Sequence, residues 1–304
     1  MKIGFVSSIL ADKSFEEVID IAHELSYSCV ELACWPKGEA ERKYAGVSHI
    51  DVEEFDDNDA IYIKDYCSRR NVEISSLAFY PNTLGNDAKM RDKNVKHLYK
   101  VIDASAKLNV NMVTTFIGRN QFLNVEDNLK QVKEVWPSIL KYAQEKDVKI
   151  AIENCPMLFD KNQWPGGQNL FNSPDIWERI FEILPNENFG INFDPSHFIW
   201  QRMDYVEPIY KYRDKIFHIH FKDIKIDEHK LQKCGILAYP LEYMTPKIPG
   251  LGDCRWDKFI SALTDIEYNG YACVEVEDKS FEKDDLSIIK SLILSKKFLE
   301  QYVI

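Results

Sequence analysis

The chain has 304 residues, a hydrophobic fraction of 45% and a formal net charge of −11. This composition is sufficient for a large core, and no Pro/Gly/Ser-rich linker or low-complexity tract divides the chain, so we expect one domain over residues 1–304. The acidic balance and the lack of a Lys/Arg run argue against nucleic acid and anionic membranes as partners.

The first residues, MKIGFVSS, are typical of a strand rather than of a signal peptide. No apolar run reaches the roughly 18 residues that predict a membrane span. We therefore expect a cytoplasmic protein. Its seven cysteines form no C-x-x-C pair, and several fall inside apolar runs, which predicts reduced thiols rather than disulfides.

Eight apolar runs alternate with stretches of helical periodicity along the chain. The predicted strands are Lys2–Val6, Cys29–Ala33, Glu73–Phe79, Met112–Gly118, Lys149–Glu153, Phe189–Asp194, Ile216–Phe221 and Tyr271–Val276. Two predicted helices begin at Ser14 and at Ser173-Pro174. The other predicted helices span roughly residues 58–70, 89–108, 125–146, 204–214, 255–266 and 283–301. Eight alternating units predict a closed parallel barrel, an α/β fold of the single (β/α)8 TIM type. The alternative is a doubly wound open sheet, but the first strand-to-helix turn lacks the glycines of a dinucleotide site.

Four of the later predicted strands carry a metal-type ligand near their C-terminal ends. These residues are Glu153, Asp194, His220 and Glu275. An unpaired buried carboxylate costs on the order of several kcal/mol, so a shared divalent cation is the simplest partner for the set. The C-terminal strand ends of such a barrel meet at one mouth, where its active site lies. The sequence therefore predicts one divalent metal ion, Mn²⁺, Mg²⁺, Co²⁺ or Zn²⁺.

The alternation of side chains along strands ranks neighbouring candidates. His218, His220 and Lys222 share one face of the seventh strand, and His218 is the deepest, so we expect it to be a hydrogen-bonded core histidine rather than a ligand. On the eighth strand we assign the metal to Glu275 rather than to Glu277, which falls in the charged segment that follows.

Two predicted connections, 154–172 and 223–254, are unusually long. Loops beyond about 15 residues without regular structure are uncommon and often form lids or binding walls. Trp164 is therefore interpreted as a wall of the pocket, although loop tryptophans also pack onto helices. Asn154 and Lys222 are candidate substrate contacts, with backbone hydrogen bonding and ion pairing as their respective alternatives.

This ligand set points to proton transfer on a sugar ketone. Four protein ligands leave positions for two substrate oxygens, and the cation would act as a Lewis acid that stabilises an enediolate. Glu153 and Glu275 come from non-adjacent strands, so they are candidates for catalytic base and acid on opposite sides of the substrate carbon. The predicted function is a metal-dependent isomerase or epimerase of a sugar, keto-polyol or sugar phosphate.

The stretches IENCPM, NFDPSH, HIHFKD and PGLGD to VEVED resemble the xylose-isomerase-like TIM-barrel superfamily of sugar phosphate isomerases and epimerases. The resemblance covers nearly the whole chain. It implies one divalent metal on the four residues named above, with the two glutamates as the acid–base pair. It also implies that His197 contacts a substrate oxygen, the alternative being that it caps its turn. A homodimer or homotetramer is the assembly that the resemblance implies.

The resemblance leaves the reaction open. Phe159 and Ile226 stand where ketose 3-epimerases have Glu and Arg, which argues against a free-ketose 3-epimerase. The superfamily includes inosose dehydratases, so the alternative is a metal-dependent lyase of a cyclic polyol ketone or a 3-keto-glycoside. A non-catalytic sugar-binding barrel is the third reading. Nucleases of the endonuclease IV type are disfavoured, because they need a His-rich site and a basic surface.

Overall fold

The computed structural model describes residues 1–38, 44–158 and 161–303. Its strands are β1 (Lys2–Val6), β2 (Cys29–Ala33), β3 (Glu73–Ala78), β4 (Met112–Thr115), β5 (Lys149–Glu153), β6 (Phe189–Phe193), β7 (Ile216–Phe221), β8 (Asp223–Ile226), β9 (Met244–Lys247) and β10 (Tyr271–Val274). All except β8 and β9 form a closed parallel barrel, in which β1 pairs with both β2 and β10. The predicted (β/α)8 barrel is confirmed, and the open-sheet alternative is wrong.

Helices connect the strands of the barrel. They are α1 (Phe15–Glu24), α2 (Asp57–Arg70), α3 (Ala88–Leu108), α4 (Val125–Glu145), α5 (Pro174–Ile183), α6 (Ser196–Trp200), α7 (Glu207–Lys211), α8 (Glu228–Cys234), α9 (Trp256–Asp265) and α10 (Asp285–Leu299). Ser14 forms the predicted capping box with Glu17, whereas Ser173 makes no side-chain capping bond. The helix predicted over 204–214 is only the short α7. None of the helices in the described part of the chain is long and apolar enough to cross a bilayer.

The lower barrel interior is packed closely around Gly4. A Cβ atom there would lie 2.5 Å from Cys29 Sγ and 2.9 Å from Cys273 Sγ. Ser75 and His218 complete this level, and both are fully buried. The functional groups therefore have to lie above this filled layer, at the C-terminal ends of the strands.

Two of the strands that carry candidate ligands end earlier in the structure than the sequence predicts. Asp194 and Glu275 were assigned to strands, but each is the first residue after one. The backbone N–H of Glu275 still donates to the carbonyl of Phe221 at 3.2 Å, so its position is fixed by β7. Both side chains thus leave the sheet at the mouth of the barrel.

The long connection after β7 is not a structureless loop, which corrects the prediction for 223–254. It contains the antiparallel hairpin β8–β9 and helix α8. The carboxylate of Asp223 closes this insert at its base, because it accepts hydrogen bonds from the backbone N–H groups of Ile224, Gly250, Gly252 and Cys254 and from Trp256 Nε1. Ile226 at the end of β8 packs in the hydrophobic core.

The connection after β5 keeps its irregular form, apart from a short helical turn at Lys161–Gln163. Buried Asn169 anchors it: its Nδ2 donates to the carbonyls of Glu153 and Cys155, while its Oδ1 accepts from Ile117 N. The amide therefore ties the ends of β4 and β5 together and fixes the backbone of Glu153. Phe159 lies outside the described residues.

Candidate functional site

The structure brings the four predicted ligands together at the barrel mouth. His220 Nδ1 lies 3.7 Å from Glu153 Oε1 and 3.5 Å from Glu275 Oε2. Asp194 Oδ2 lies 3.1 Å from His197 Nε2, which is itself 3.6 Å from Glu153 Oε1. Residues from four separate strand ends thus converge on one small volume.

Several atoms of this cluster are buried and make no hydrogen bond. They are Asp194 Oδ2, His197 Nε2, His220 Nδ1 and Glu275 Oε2. Folded proteins satisfy nearly all buried polar atoms, so these four atoms call for a further partner. The ligand atoms of Glu153, His220 and Glu275 lie within 4.8 Å of one another. Carboxylate oxygens together with one imidazole nitrogen are a donor set that divalent cations accept. The residues present therefore fit a divalent metal ion.

A buried glutamate that the sequence analysis missed orients His220. Glu31, in β2, is fully buried, and its Oε2 lies 3.1 Å from His220 Nε2. Its carboxylate also accepts hydrogen bonds from Tyr80 Oη at 2.7 Å and from Ser76 Oγ at 3.1 Å. A carboxylate that accepts from Nε2–H selects the tautomer whose Nδ1 lone pair faces the mouth.

The pKa shifts of His220 and Glu153 indicate that the cluster is stabilised by positive charge. Burial by itself would lower the pKa of His220, but the carboxylates of Glu31, Glu153 and Glu275 around the ring outweigh it and hold that pKa well above its usual value. Burial opposes ionisation of Glu153, yet the nearby His197 and His220 rings lower its pKa below the ordinary range. A proton or a cation can supply the missing charge, so metal binding competes with protonation here.

His218 is hydrogen-bonded at both ring nitrogens, as predicted. Its Nδ1 lies 3.0 Å from Asn192 Oδ1 and its Nε2 lies 3.2 Å from Ser75 Oγ. It is fully buried one level below His220. Its place is therefore in the support of the site rather than at the cavity.

Lys222 forms ion pairs and also faces the cavity. Its Nζ lies 3.3 Å from Glu275 Oε2 and 2.5 Å from Glu277 Oε2. Burial would lower the pKa of Lys222, but Glu275 and Glu277 raise it well above its usual value. Glu277 lines the cavity too. The sequence already indicated that Glu277 lies beside Glu275, because their spacing of two places both on one face of the eighth predicted strand.

Two of the predicted substrate contacts do not reach the cavity. Asn154 is fully buried, and its side chain hydrogen-bonds the backbone of Asp194. Its Nδ2 donates to the carbonyl at 2.8 Å, and its Oδ1 accepts from the N–H at 2.7 Å. Trp164 donates from Nε1 to the carbonyl of Leu237 and packs against Trp200, and it is Trp200 that lines the cavity. Strand and loop patterns locate such residues but do not show which backbone or ring they meet.

Four of the predicted groups line the cavity, whereas Asp194 and His220 lie behind this lining. The cavity has a volume of about 620 Å³ and is lined by Glu153, His197, Lys222 and Glu275, with Trp35 on one wall. Cys155 also lines it, and a donor set of Cys155, Glu153 and His197 lies within 4.8 Å. The cavity thus connects to solvent the cluster of buried polar atoms that make no hydrogen bond.

The fold and the cluster define a class of protein, an α/β barrel with donors of divalent-metal type at its C-terminal mouth. The sequence model of the family described as xylose isomerase-like TIM barrel matches residues 19–297. The chain belongs to this family, and the resemblance predicted from its motifs is confirmed.

Individual relatives are more distant. An inosose dehydratase from Clostridium perfringens (strain ATCC 13124) is 33% identical over 103 residues, 33% of this chain and 34% of that protein, so the chain matches about a third of its length. D-psicose 3-epimerase with D-tagatose from Clostridium cellulolyticum H10 has a TM-score of 0.68 at 14% identity and covers 100% and 99% of the two chains. IOLI protein with a bound zinc atom has a TM-score of 0.72 at 18% identity and covers 99% of each. These two structures share the fold.

Proposed function

We propose that this protein is a divalent-metal-dependent isomerase or epimerase that moves a proton at the carbon next to the carbonyl of a sugar or keto-polyol. The observation that carries the proposal is the placement of Glu153 and Glu275. They approach His220 Nδ1 from strands on either side of β7, and both line the cavity. A substrate carbon between them would have a carboxylate on each side.

Glu153, Asp194, His220 and Glu275 would hold the cation. When bound, the cation supplies a Lewis acid for the substrate carbonyl and so makes the neighbouring C–H more acidic. The zinc-containing IOLI structure, which has the same fold, supports this proposal.

The chain's own groups supply the proton transfers. An ionised carboxylate is the form that a general base needs, and Glu153 is the candidate for that role. Glu275 would protonate the other side of the same carbon. Lys222 has three ammonium donors, of which two face Glu275 and Glu277, so one remains to hold a substrate oxygen. His197 borders the same volume and would contact a second oxygen.

A metal-dependent lyase is the second candidate, and the likeness to an inosose dehydratase favours it. Both reactions begin with removal of the proton next to the carbonyl. Loss of a leaving group from the β-carbon then gives elimination, and return of a proton gives isomerisation. The substrate, rather than the donor set, decides between them.

Deuterium exchange tests the shared first step. The protein is incubated with Mn²⁺ in D₂O with D-fructose, D-psicose, an inosose or a 3-keto-glucoside, and deuterium at the carbon next to the carbonyl is followed by NMR. We expect exchange with at least one ketone and a loss of about 100-fold or more in Glu153→Gln. Glu126→Gln, at a surface ion pair with Arg179, is the matched control. Exchange that survives in Glu153→Gln would rule out this base.

A further inference from the structure

Cys155 belongs to a second group of donor atoms beside the predicted ligand set. Its Sγ lies within 4.8 Å of a Glu153 carboxylate oxygen and of a His197 ring nitrogen. The thiol is half-buried and lines the cavity just after the end of β5. Asn169 Nδ2 donates to the carbonyl of Cys155 at 2.6 Å, and the sulfur accepts from Met157 N at 3.3 Å. The thiol is therefore held in place next to the other two donors.

His197 supplies an unpartnered nitrogen to this group. The residue is 8% exposed, and its Nε2 is buried and makes no hydrogen bond. Glu153 Oε1 lies 3.6 Å from this nitrogen, and Asp194 Oδ2 lies 3.1 Å from it. Across the ring, Trp200 Nε1 is 3.5 Å from Nδ1, which is longer than the roughly 2.7–3.2 Å of an ordinary N–H hydrogen bond. That contact is too long to keep the ring proton on Nε2, so Nε2 can present its lone pair to a ligand.

The two groups of donors meet at one carboxylate. Glu153, His220 and Glu275 make up the first group, and Glu153, Cys155 and His197 make up the second. A carboxylate has two oxygens and can contact two cations at once. In enzymes that use paired metal ions, the two ions lie about 3.5–4 Å apart. The shared Glu153 therefore allows a second cation next to the first.

The thiol changes which cations the second group accepts. Thiolate sulfur is a soft ligand that suits Zn²⁺, whereas Mg²⁺ and Mn²⁺ prefer carboxylate and water. Cysteine sulfur, imidazole nitrogen and carboxylate oxygen are all ordinary zinc ligands. Three protein ligands with a fourth position open to solvent are a common zinc arrangement. The second group thus selects for a thiophilic ion, which the first group does not.

From these contacts, we propose a second cation site formed by Glu153, Cys155 and His197, which takes a thiophilic divalent ion such as Zn²⁺. One of its three donors is shared with the first ion, so the site fills when the ion is added rather than during purification. An ion there would occupy the carboxylate proposed as the base, so the filled site is inhibitory. Only this last consequence rests on the proposed function.

Cadmium titration of the intact, metal-free protein tests the site by spectroscopy. Cd²⁺ is a soft divalent probe, and its bond to a thiolate gives an ultraviolet charge-transfer band that carboxylates and imidazoles do not give. We expect about two Cd²⁺ per chain, with the band developing as the second ion binds. Cys155→Ser should bind about one Cd²⁺ without the band. His197→Ala should keep the thiol but weaken the step that forms the band by about tenfold or more.

Cys234→Ser is the matched control, because it removes an exposed thiol that Cd²⁺ could also reach. It should form the band with the affinity of the wild type. The site is ruled out by the absence of a band in wild type, by a band that survives in Cys155→Ser, or by an unchanged step in His197→Ala. A single Cd²⁺ per chain that gives the band would also rule it out, because one ion would then hold both groups. A band that depends on Cys155 in a protein that exchanges no deuterium would keep the site and remove the proposed function.

Discussion

At the scale of single residues, the site depends on a glutamate that does not face the cavity. Glu31 accepts hydrogen bonds from Tyr80 and Ser76 and lies 3.1 Å from His220 Nε2. The sequence already held a signal for it: Glu31 is the one carboxylate in the apolar run CVELA. The cost of burying a charge, used to single out Glu153, applies equally to Glu31.

Glu31→Gln should weaken metal binding by about 10- to 100-fold while the barrel stays folded, because the neutral amide no longer holds the His220 ring through a charged acceptor. Titration of metal-free protein with Zn²⁺ or Mn²⁺ measures the change. Glu73→Gln, at an exposed ion pair with Lys2, is the control and should bind as the wild type does. Unchanged affinity in Glu31→Gln would show that His220 needs no such support.

His220→Ala should remove the metal from the protein. We expect about one divalent ion per chain in wild type purified without chelator, since one cluster holds four buried polar atoms that make no hydrogen bond. Mass spectrometry of the metal content compares the two proteins. His229→Ala, which removes an exposed histidine, should retain the ion. A metal-free wild type that added Zn²⁺ and Mn²⁺ leave unstabilised would contradict the metal-dependent proposal.

At the scale of elements, strands were predicted better than connections. The predicted bounds of β1, β2, β5 and β7 are those of the structure. These strands are near-continuous apolar runs, so their local pattern is sufficient. The fold of 223–254 was missed because its hairpin depends on Asp223, whose carboxylate joins residues about thirty positions apart in the chain. No local pattern reports such contacts.

Asp223→Asn should destabilise this insert and the barrel end that carries it. An amide in place of the carboxylate loses charge-assisted acceptance and turns its NH₂ toward N–H donors, so we expect a loss of roughly 2–4 kcal/mol in the free energy of unfolding. Urea denaturation measures it. Asp257→Asn, at an exposed pair with Arg255, should change stability by less than about 0.5 kcal/mol. A similar small change in Asp223→Asn would mean that the insert needs no anchor.

At the scale of the whole molecule, the barrel interior supports the site from below. The layer around Gly4, Cys29 and Cys273 includes His218, whose Nδ1 lies 3.0 Å from Asn192 Oδ1. The sequence predicted the closure of the barrel and the convergence of the four strand ends. It left Asn154 and Trp164 open between the cavity and other partners, because side-chain alternation gives the face of a strand but not the neighbour across it.

Gly4→Ala should lower stability by about 1–3 kcal/mol, because the added methyl group meets Cys29 and Cys273 inside a closed layer. Thermal unfolding measures the loss. At Gly85 an added Cβ would be 3.4 Å or more from its nearest neighbours, so Gly85→Ala is the matched control with little effect expected. Equal melting temperatures for Gly4→Ala and wild type would contradict this account of the interior.

The insert held by Asp223 is attached to the barrel through its base, yet it contributes Leu241 and Met244 to the cavity. The carboxylates at the strand ends belong to the sheet instead. Residues 227–243 can therefore be exchanged for those of a relative without altering the strand ends that carry Glu153 and Glu275. Evolution, or a loop graft in the laboratory, can then change the wall of the cavity while the carboxylates at the strand ends stay in place.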